Sequence, residues 1–522
     1  MREGLFDRIE QQDSERVALI VTHDTGDEPV RYGTLIEAAR CWAALFAARG
    51  LEQGDRVALW LPNIAAWPAI ELAAAYSGVV VVPINTRWRA TEIGHLLRRT
   101  RPALIIRPMD FCDVDFDGIL AEAAGDGPHA PVLKLPLTGA APPHADFAKG
   151  TARRLTADAP INLLATSGST GQPKFAVHRQ SALAIRFSAA GRRFDIEGGD
   201  LVLCALPLCG IWGLGITLAT LMAGGTAVLM PVFDAEKAGK TIERLAVAHV
   251  HGGDNLILAI IDALAPSALP LRSWRSCYFG AFTGRSPADV IDAVERCGPG
   301  LRAAQAYGSS EALAFVAGCG PEAPRALREL AGGPLLDSAT RFRVVDPDSG
   351  EPARIGGQGE IQLAGPTVTQ GYFDDCDASR AAFTQDGWFR TGDLGERASD
   401  GFHFIARMGD ALRLRGTLVD PSEIEAALCL HPAVDEAHVV GAKRPNEGDV
   451  AVAFARLRPG ADVAEADLRS FVASTLARYK VPERIVMDFD IPVTVSANAT
   501  KVRKDILRDV AAGYLAVTPS RI

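Results

Sequence analysis

Apolar positions change their period repeatedly along the chain. Residues 32–50, YGTLIEAARCWAALFAARG, carry apolar side chains at helical spacing, and Gly50 marks the stop. GDRVALWLP (54–62) reads as a turn and then a strand, an alanine-rich helix follows, and GVVVVPIN (78–85) is a β-branched strand bounded by glycine and proline. This alternation predicts an α/β architecture with largely parallel sheets. Residues 123–160, rich in Ala, Gly, Pro and Asp, read as a surface connection, and a second α/β series runs from about 161 to 320. Short strands with Gly- and Asp-rich turns occupy 340–405, and a compact βαβ-like pattern returns from about 411 to near 510. The change of pattern puts the main boundary near Arg407–Asp410.

One stretch could be mistaken for a membrane span. Residues 201–233, LVLCALPLCGIWGLGITLATLMAGGTAVLMPVF, contain no charged side chain and are long enough to cross a bilayer. Pro207, Gly210, Gly213, Gly215, the Gly224-Gly225 pair and Pro231 divide the run. The pieces predict a strand ending at Pro207, a helix over about 212–223, a glycine turn and the strand TAVLMP, a buried β-α-β unit rather than a span.

Composition narrows the class. At 522 residues, with 48% hydrophobic and 22% charged residues, the chain is a multidomain soluble globular protein and not a disordered or fibrous one. Its formal charge of −9 argues against nucleic acid or anionic lipid as the main partner. The nine cysteines are scattered without a CxxC pair, and the start MREGLFDRIEQQDSERV has no apolar signal core. Both features fit reduced thiols in a cytoplasmic chain.

The most chemical segment is TSGSTGQPK, Thr166 to Lys174, following the apolar run INLLA. The glycines Gly168 and Gly171 let the backbone approach an anion, the hydroxyls of Thr166, Ser167, Ser169 and Thr170 donate hydrogen bonds, and Lys174 adds a point charge. That suits a polyphosphate, although the spacing is not that of a Walker A loop, and a loop of this composition alone could be a surface linker. Five further segments accompany it, three after it and two before. QAYGSSEA (305–312), GEIQLAGPTVTQGY (359–372), WFRTGDLG (388–395) and the opening GDRVALWLPN with GVVVVPINTRW together resemble the adenylate-forming superfamily of acyl-CoA synthetases, peptide-synthetase adenylation domains and firefly-type luciferases. The likeness spans about 30–510.

The resemblance implies a large N-terminal domain (1–408) of layered α/β sheets with a small β-barrel subdomain (about 335–405). A smaller, mobile C-terminal α+β domain (409–522) would follow. It implies a ligase that joins a carboxylic acid to the α-phosphate of ATP and then to the thiol of CoA, with Mg²⁺ as cofactor. By the same likeness the loop Thr166–Lys174 holds the β- and γ-phosphates, and Tyr307 stacks on adenine within a nucleotide site that includes Gly308 and Ser309. Ser310 bonds the α-phosphate, and Glu311 coordinates Mg²⁺, a cation that prefers oxygen ligands. Asp393 would accept the ribose hydroxyls, and Arg407, fourteen residues on, would contact ribose and phosphate. IPVTVSANATKVRKDILR (491–508) resembles the closing motif, and its Lys501 would bridge the substrate carboxylate and the α-phosphate.

Three departures bear on function. Pro492 to Lys501 is three residues longer than the usual spacing, and Thr500 stands where glycine is common. Gly409, in RMGD, occupies the hinge position that usually holds Asp or Lys, which keeps rotation possible while removing hinge contacts. The acid pocket, PLCGIWG, places Cys209 and Gly210 where bulky rings are common, next to Trp212. Asp254 would meet a polar group of the substrate or cap the following helix, and Gly280 also belongs to the pocket. His249 and His251 read as a strand with two polar faces rather than a metal pair. PLCGIWGLG has no aspartate to pair with a substrate ammonium, so fatty, aryl or polycyclic acids are favoured over amino acids. Two other readings stay open: an enzyme that hands its acyl-adenylate to a partner or carrier-protein thiol, and a non-catalytic nucleotide-binding scaffold.

Overall fold

The structure is a computed structural model. It describes residues 4–517 except 125–129, 144–153, 156–157, 167–172, 265–269, 283–284, 348, 411, 415–416, 420, 445–447, 477, 488 and 496–499. Two sheets carry the first 320 residues. One has six strands, parallel through Val132–Leu135, Leu104–Pro108, Arg56–Leu59, Val80–Pro83 and Pro160–Thr166, and ends in the antiparallel strand Lys174–Arg179. The other has nine, with Arg302–Tyr307, Ser276–Gly280, His249–Val250, Leu201–Cys204, Thr226–Leu229 and Val17–His23 parallel in that spatial order. Apolar side chains of both sheets and of the helices Tyr32–Ala48, Ala66–Ser77 and Ile211–Met222 share one core.

The uncharged run folds as a β-α-β unit. Leu201–Cys204 and Thr226–Leu229 pair in parallel, and every residue from Ile211 to Leu221 in the helix between them is buried. The first strand ends at Cys204 rather than Pro207, because a side chain takes over from the ladder. Asn63 Nδ2 donates to Leu206 O at 2.9 Å, and its Oδ1 accepts from Leu208 N at 2.9 Å. Among the described residues, no helix is long and apolar enough to cross a membrane.

Two expectations are corrected. The segment 123–160 is more than a surface connection: Val132–Leu135 adds an edge strand to the first sheet, and only Leu135 of its four residues is buried, so its apolar signal is weak. The strand of His249 and His251 does not present polar faces to solvent, since both side chains are buried. They lie two apart on one face, with rings stacked at 6.0 Å. Ser276 Oγ lies 2.7 Å from His249 Nδ1 and Asp200 Oδ2 lies 3.1 Å from its Nε2, while Tyr278 N donates to His251 Nδ1.

Residues 332–407 form a five-stranded antiparallel sheet in the order Gly332–Pro334, Gly401–Arg407, Phe389–Arg397, Gln358–Ala364, Arg341–Val345. It packs on a small core that includes Tyr307, Ile361, Phe389 and Phe402. Beyond it, a second five-stranded sheet (Thr417–Val419, Leu412–Leu414, Gly448–Leu457, Val434–Arg444, Arg484–Met487) is flanked by the helices Pro421–Cys429, Glu465–Thr475 and Lys504–Val517, with apolar clusters of its own.

One buried acid sets a pH dependence. Glu71, on the helix Ala66–Ser77, is fully buried and accepts from Asn162 Nδ2 at 3.1 Å. Burial pushes its carboxyl up to about 8, with the Asn162 bond working the other way. The folded-state value lies above the unfolded one, so this side chain's contribution to stability is complete below about pH 4.5 and is lost as pH rises through about 8. Glu71→Gln keeps the bond to Asn162 without a charge to bury. At pH 8 the variant is expected to melt at a higher temperature than the parent, by an amount corresponding to roughly 2–4 kcal/mol. The gap should close toward pH 4.5; thermal midpoints that run in parallel from pH 5 to 8 would contradict this assignment.

Candidate active site

Parallel strands leave their carboxyl ends at one edge of the sheet, where α/β proteins place ligands. Tyr307 ends Arg302–Tyr307, Gly280 ends Ser276–Gly280, Asp254 follows Gly252–Gly253, and the loop with Cys209 follows Leu201–Cys204. The chain turns sharply after Tyr307. A Cβ on Gly308 would lie 1.5 Å from Ala314 O, and Leu313 and Ala314 hold φ of +58° and +52°, so only glycine fits this close approach. The turn carries Ser309 and the 3₁₀ helix Ser310–Ala312, which includes Glu311. Ser309 Oγ is buried with no hydrogen-bond partner among the described residues, a donor suited to a nucleotide.

Asp393 and Arg407 are register partners on neighbouring antiparallel strands, which explains their distant positions in sequence. Arg407 Nε lies 3.1 Å from Asp393 Oδ1, and Tyr307 Oη donates to Asp393 Oδ2 at 2.5 Å. Asp393 is 3% exposed, whereas the Arg407 side chain is about half exposed and also donates to Thr391 O. Desolvation disfavours the Arg407 cation, but Asp393 foremost, with Tyr307, Glu311 and Asp410, outweighs it and holds the group above its ordinary value. Burial first, then the adjacent Asp393 charge, pushes the Tyr307 phenol far up, so it stays protonated and donates. Its ring packs against Phe402 and Phe404 at 5.0 and 5.7 Å. Asp393 pairs directly with the Arg407 guanidinium, and Glu311 acts on the same group electrostatically.

Two residues outside the expected set shape this centre. His178 lies on the same strand as Lys174 at even spacing, so both point to one side. Its Nε2 bonds Ser310 O at 2.8 Å, and burial lowers its value to about 4, which keeps the ring neutral with Nε2–H as donor. Tyr372 Oη donates to Glu311 Oε1 at 3.1 Å. Alternation along the strand offered a signal for His178; nothing local marked Tyr372.

Thr166 and Lys174 are register partners that bracket the glycine-hydroxyl loop, and Thr166 is buried. Ser167, Gly168, Ser169, Thr170 and Gly171 lie outside the described residues. So does the side chain of Lys501, whose backbone stands opposite Thr494 in the small ladder Val493–Val495/Thr500–Val502. Gly409 follows Arg407 in a turn, and its carbonyl accepts from Arg508 Nη2 at 2.8 Å.

Of the residues expected to line the acid pocket, Trp212, Asp254 and Gly280 are linked through Phe282. A Cβ on Gly280 would lie 2.6 Å from Phe282 Cζ and 2.9 Å from Trp212 Cζ3. Trp212 meets Phe282 and Phe315 edge to face at 6.1 and 5.5 Å. Gly210 caps the helix Ile211–Met222, and burial pushes the neighbouring Cys209 thiol up to about 12, leaving it uncharged. Asp254 is buried at the first position of its helix, and its Oδ1 accepts from Asn255 N and Phe282 N at 2.9 and 3.1 Å. These bonds fix the loop that carries Phe282.

The family model of AMP-binding enzymes matches residues 6–373, and the model of their C-terminal domain matches 423–498. The chain belongs to the AMP-binding enzyme family. It is 29% identical over 508 residues to the 3-[(3aS,4S,7aS)-7a-methyl-1,5-dioxo-octahydro-1H-inden-4-yl]propanoyl:CoA ligase of Rhodococcus jostii, covering 93% of this chain and 94% of that one. With the 2-succinylbenzoate–CoA ligase of Geobacillus kaustophilus it shares 32% identity over 481 residues, 92% of each chain. Among solved structures it is similar to ATP-bound MatB from Rhodopseudomonas palustris, with a TM-score of 0.86, 25% identity, and coverage of 99% of this chain and 100% of that one.

Proposed function

We propose that this enzyme activates a bulky hydrophobic carboxylic acid (fatty, aryl or polycyclic) with ATP and transfers the acyl group to CoA. The observation that carries the reading is the cluster of Tyr307, Asp393 and Arg407 after the carboxyl end of the strand Arg302–Tyr307, with Glu311 acting electrostatically on the same guanidinium. The aromatic cluster of Trp212, Phe282 and Phe315 supports the choice of a hydrophobic acid. A carboxylate oxygen of the acid attacks the α-phosphorus, the bond to the bridging oxygen of the β-phosphate breaks, and pyrophosphate leaves. The CoA sulfur then bonds the acyl carbon, AMP departs and the thiol proton passes to solvent.

Each side chain has a part in this. Asp393 accepts ribose hydroxyls, a task for an ionised carboxylate held by Arg407 and Tyr307. Ser309, Ser310 and the segment Thr166–Lys174 donate to the phosphates, and Lys501 places a cation between the carboxylate and the α-phosphate, two groups that otherwise repel. Glu311 suits Mg²⁺ because its partly buried carboxylate is steadied by Tyr372 and offers oxygen alone. When bound, the ion would neutralise phosphate charge.

Acid-dependent exchange of labelled pyrophosphate into ATP tests the reading. A bulky hydrophobic acid is expected to drive more exchange than acetate or any amino acid; best activity with acetate would overturn the substrate assignment. Gly409 at the hinge and the lengthened terminal motif favour a second reading, transfer of the acyl-adenylate to a carrier or partner thiol. Mass spectra taken with and without CoA separate the two: acyl-CoA supports the first, persistent acyl-AMP the second.

A further inference from the structure

We propose that Tyr372 is a positioning residue that couples the phosphate-loop lysine to the metal-binding carboxylate, an inference that rests on the nucleotide site proposed above. One side chain touches both groups. Its hydroxyl donates to Glu311 Oε1 at 3.1 Å, and its ring lies under the Lys174 ammonium, 5.2 Å from Nζ to the centroid. The bond restrains the rotation of the carboxylate and so fixes the direction in which it offers oxygen to a cation. The ring face gives Lys174 a cation–π seat that polyphosphate oxygens can outcompete.

The backbone around Tyr372 is built to hold this position. Tyr372 bridges Ala176 on the strand that starts at Lys174. Val177 N donates to Gly371 O at 3.1 Å, and Phe373 N donates to Phe175 O at 2.8 Å. Tyr372 N itself donates to Ser379 Oγ at 2.8 Å. Gly371 holds φ of +132°, and a Cβ there would lie 2.8 Å from Ser379 Oγ, so glycine is required immediately before the tyrosine. From the same segment Thr369 N donates to Glu311 O at 2.7 Å. Backbone hydrogen bonds therefore join the segment 369–373 both to the strand of Lys174 and to the turn of Glu311.

Tyr372→Phe removes the hydroxyl and keeps the ring; Tyr372→Leu removes both. Binding of Mn²⁺ to the enzyme with a non-hydrolysable ATP analogue, followed by electron paramagnetic resonance, reads metal affinity without turnover. Both variants are expected to weaken Mn²⁺ binding by about tenfold. Only Tyr372→Leu should also change affinity for the nucleotide measured without metal, because only it disturbs the Lys174 seat. In turnover, Tyr372→Phe should raise the half-saturating Mg²⁺ concentration while kcat at saturating metal stays within about threefold of the parent. Parental Mn²⁺ affinity in Tyr372→Phe, or identical metal-free nucleotide affinity in the two variants, overturns the coupling. Absence of acid-dependent pyrophosphate exchange in the parent enzyme would instead overturn the proposed function, and the Mn²⁺ titration would still decide the role of Tyr372.

Discussion

Lys501→Ala is expected to lower acyl-adenylate formation by about 10²–10³-fold while ATP still binds with near-parental affinity. The reaction brings a carboxylate against a phosphate, and two unit charges at about 4 Å repel by several kcal/mol in the partly desolvated environment of a protein site. A cation between them acts mainly as they approach, so its loss falls on the chemical step rather than on nucleotide binding. The nucleotide is held by other residues, among them Asp393 and the turn Gly308–Glu311. Single-turnover acyl-AMP formation compared with equilibrium ATP binding separates the two effects. An unchanged rate would remove Lys501 from the chemistry, and it would revive the scaffold reading that the complete set Lys174, Glu311, Asp393, Arg407 and Lys501 argues against.

The second large effect concerns the hinge. A Cβ on Gly409 would meet nothing within 4 Å, and its φ lies outside the left-handed region, so sterics in the present conformation do not demand glycine. What glycine supplies is freedom to take another backbone conformation. Arg508, from the last helix, holds the Gly409 carbonyl and pairs with Asp410, which ties the small domain to the turn. Gly409→Pro fixes φ near −65° and is expected to leave acyl-adenylate formation within about threefold of the parent while thioester formation falls by about a hundredfold or more. Gly409→Ala should retain both steps. Quenched reactions with and without CoA distinguish the outcomes, and equal loss of both half-reactions in Gly409→Pro would count against rotation at this residue.

Elements read from period and punctuation were legible where the cause is local. The helix ending near Gly50, the strands near 56 and 80 and the β-α-β unit of the uncharged run all follow from short-range pattern. The ordered motifs likewise named Tyr307, Glu311, Asp393 and Arg407, which the fold then gathers through strand ends and one antiparallel register. What escaped depends on contacts distant in sequence. Trp212 meets Phe282 and Phe315, which come from other elements, and nothing in PLCGIWG signals those contacts. Asp254 could be read as a substrate contact or a helix cap, and its bond to Phe282 N joins positions 28 apart. The strand Val132–Leu135 was hidden in a loop-like composition because an edge strand buries too little to impose a pattern.

The central claim is that a carboxylate oxygen of the acid becomes bonded to the α-phosphorus of ATP. Incubating the enzyme with ATP, Mg²⁺, CoA and an acid labelled with ¹⁸O in both carboxyl oxygens traces that bond directly. Mass spectrometry of the nucleotide product is expected to show AMP carrying one ¹⁸O atom for each thioester formed. Unlabelled AMP, or labelled phosphate accompanied by ADP, would contradict the account.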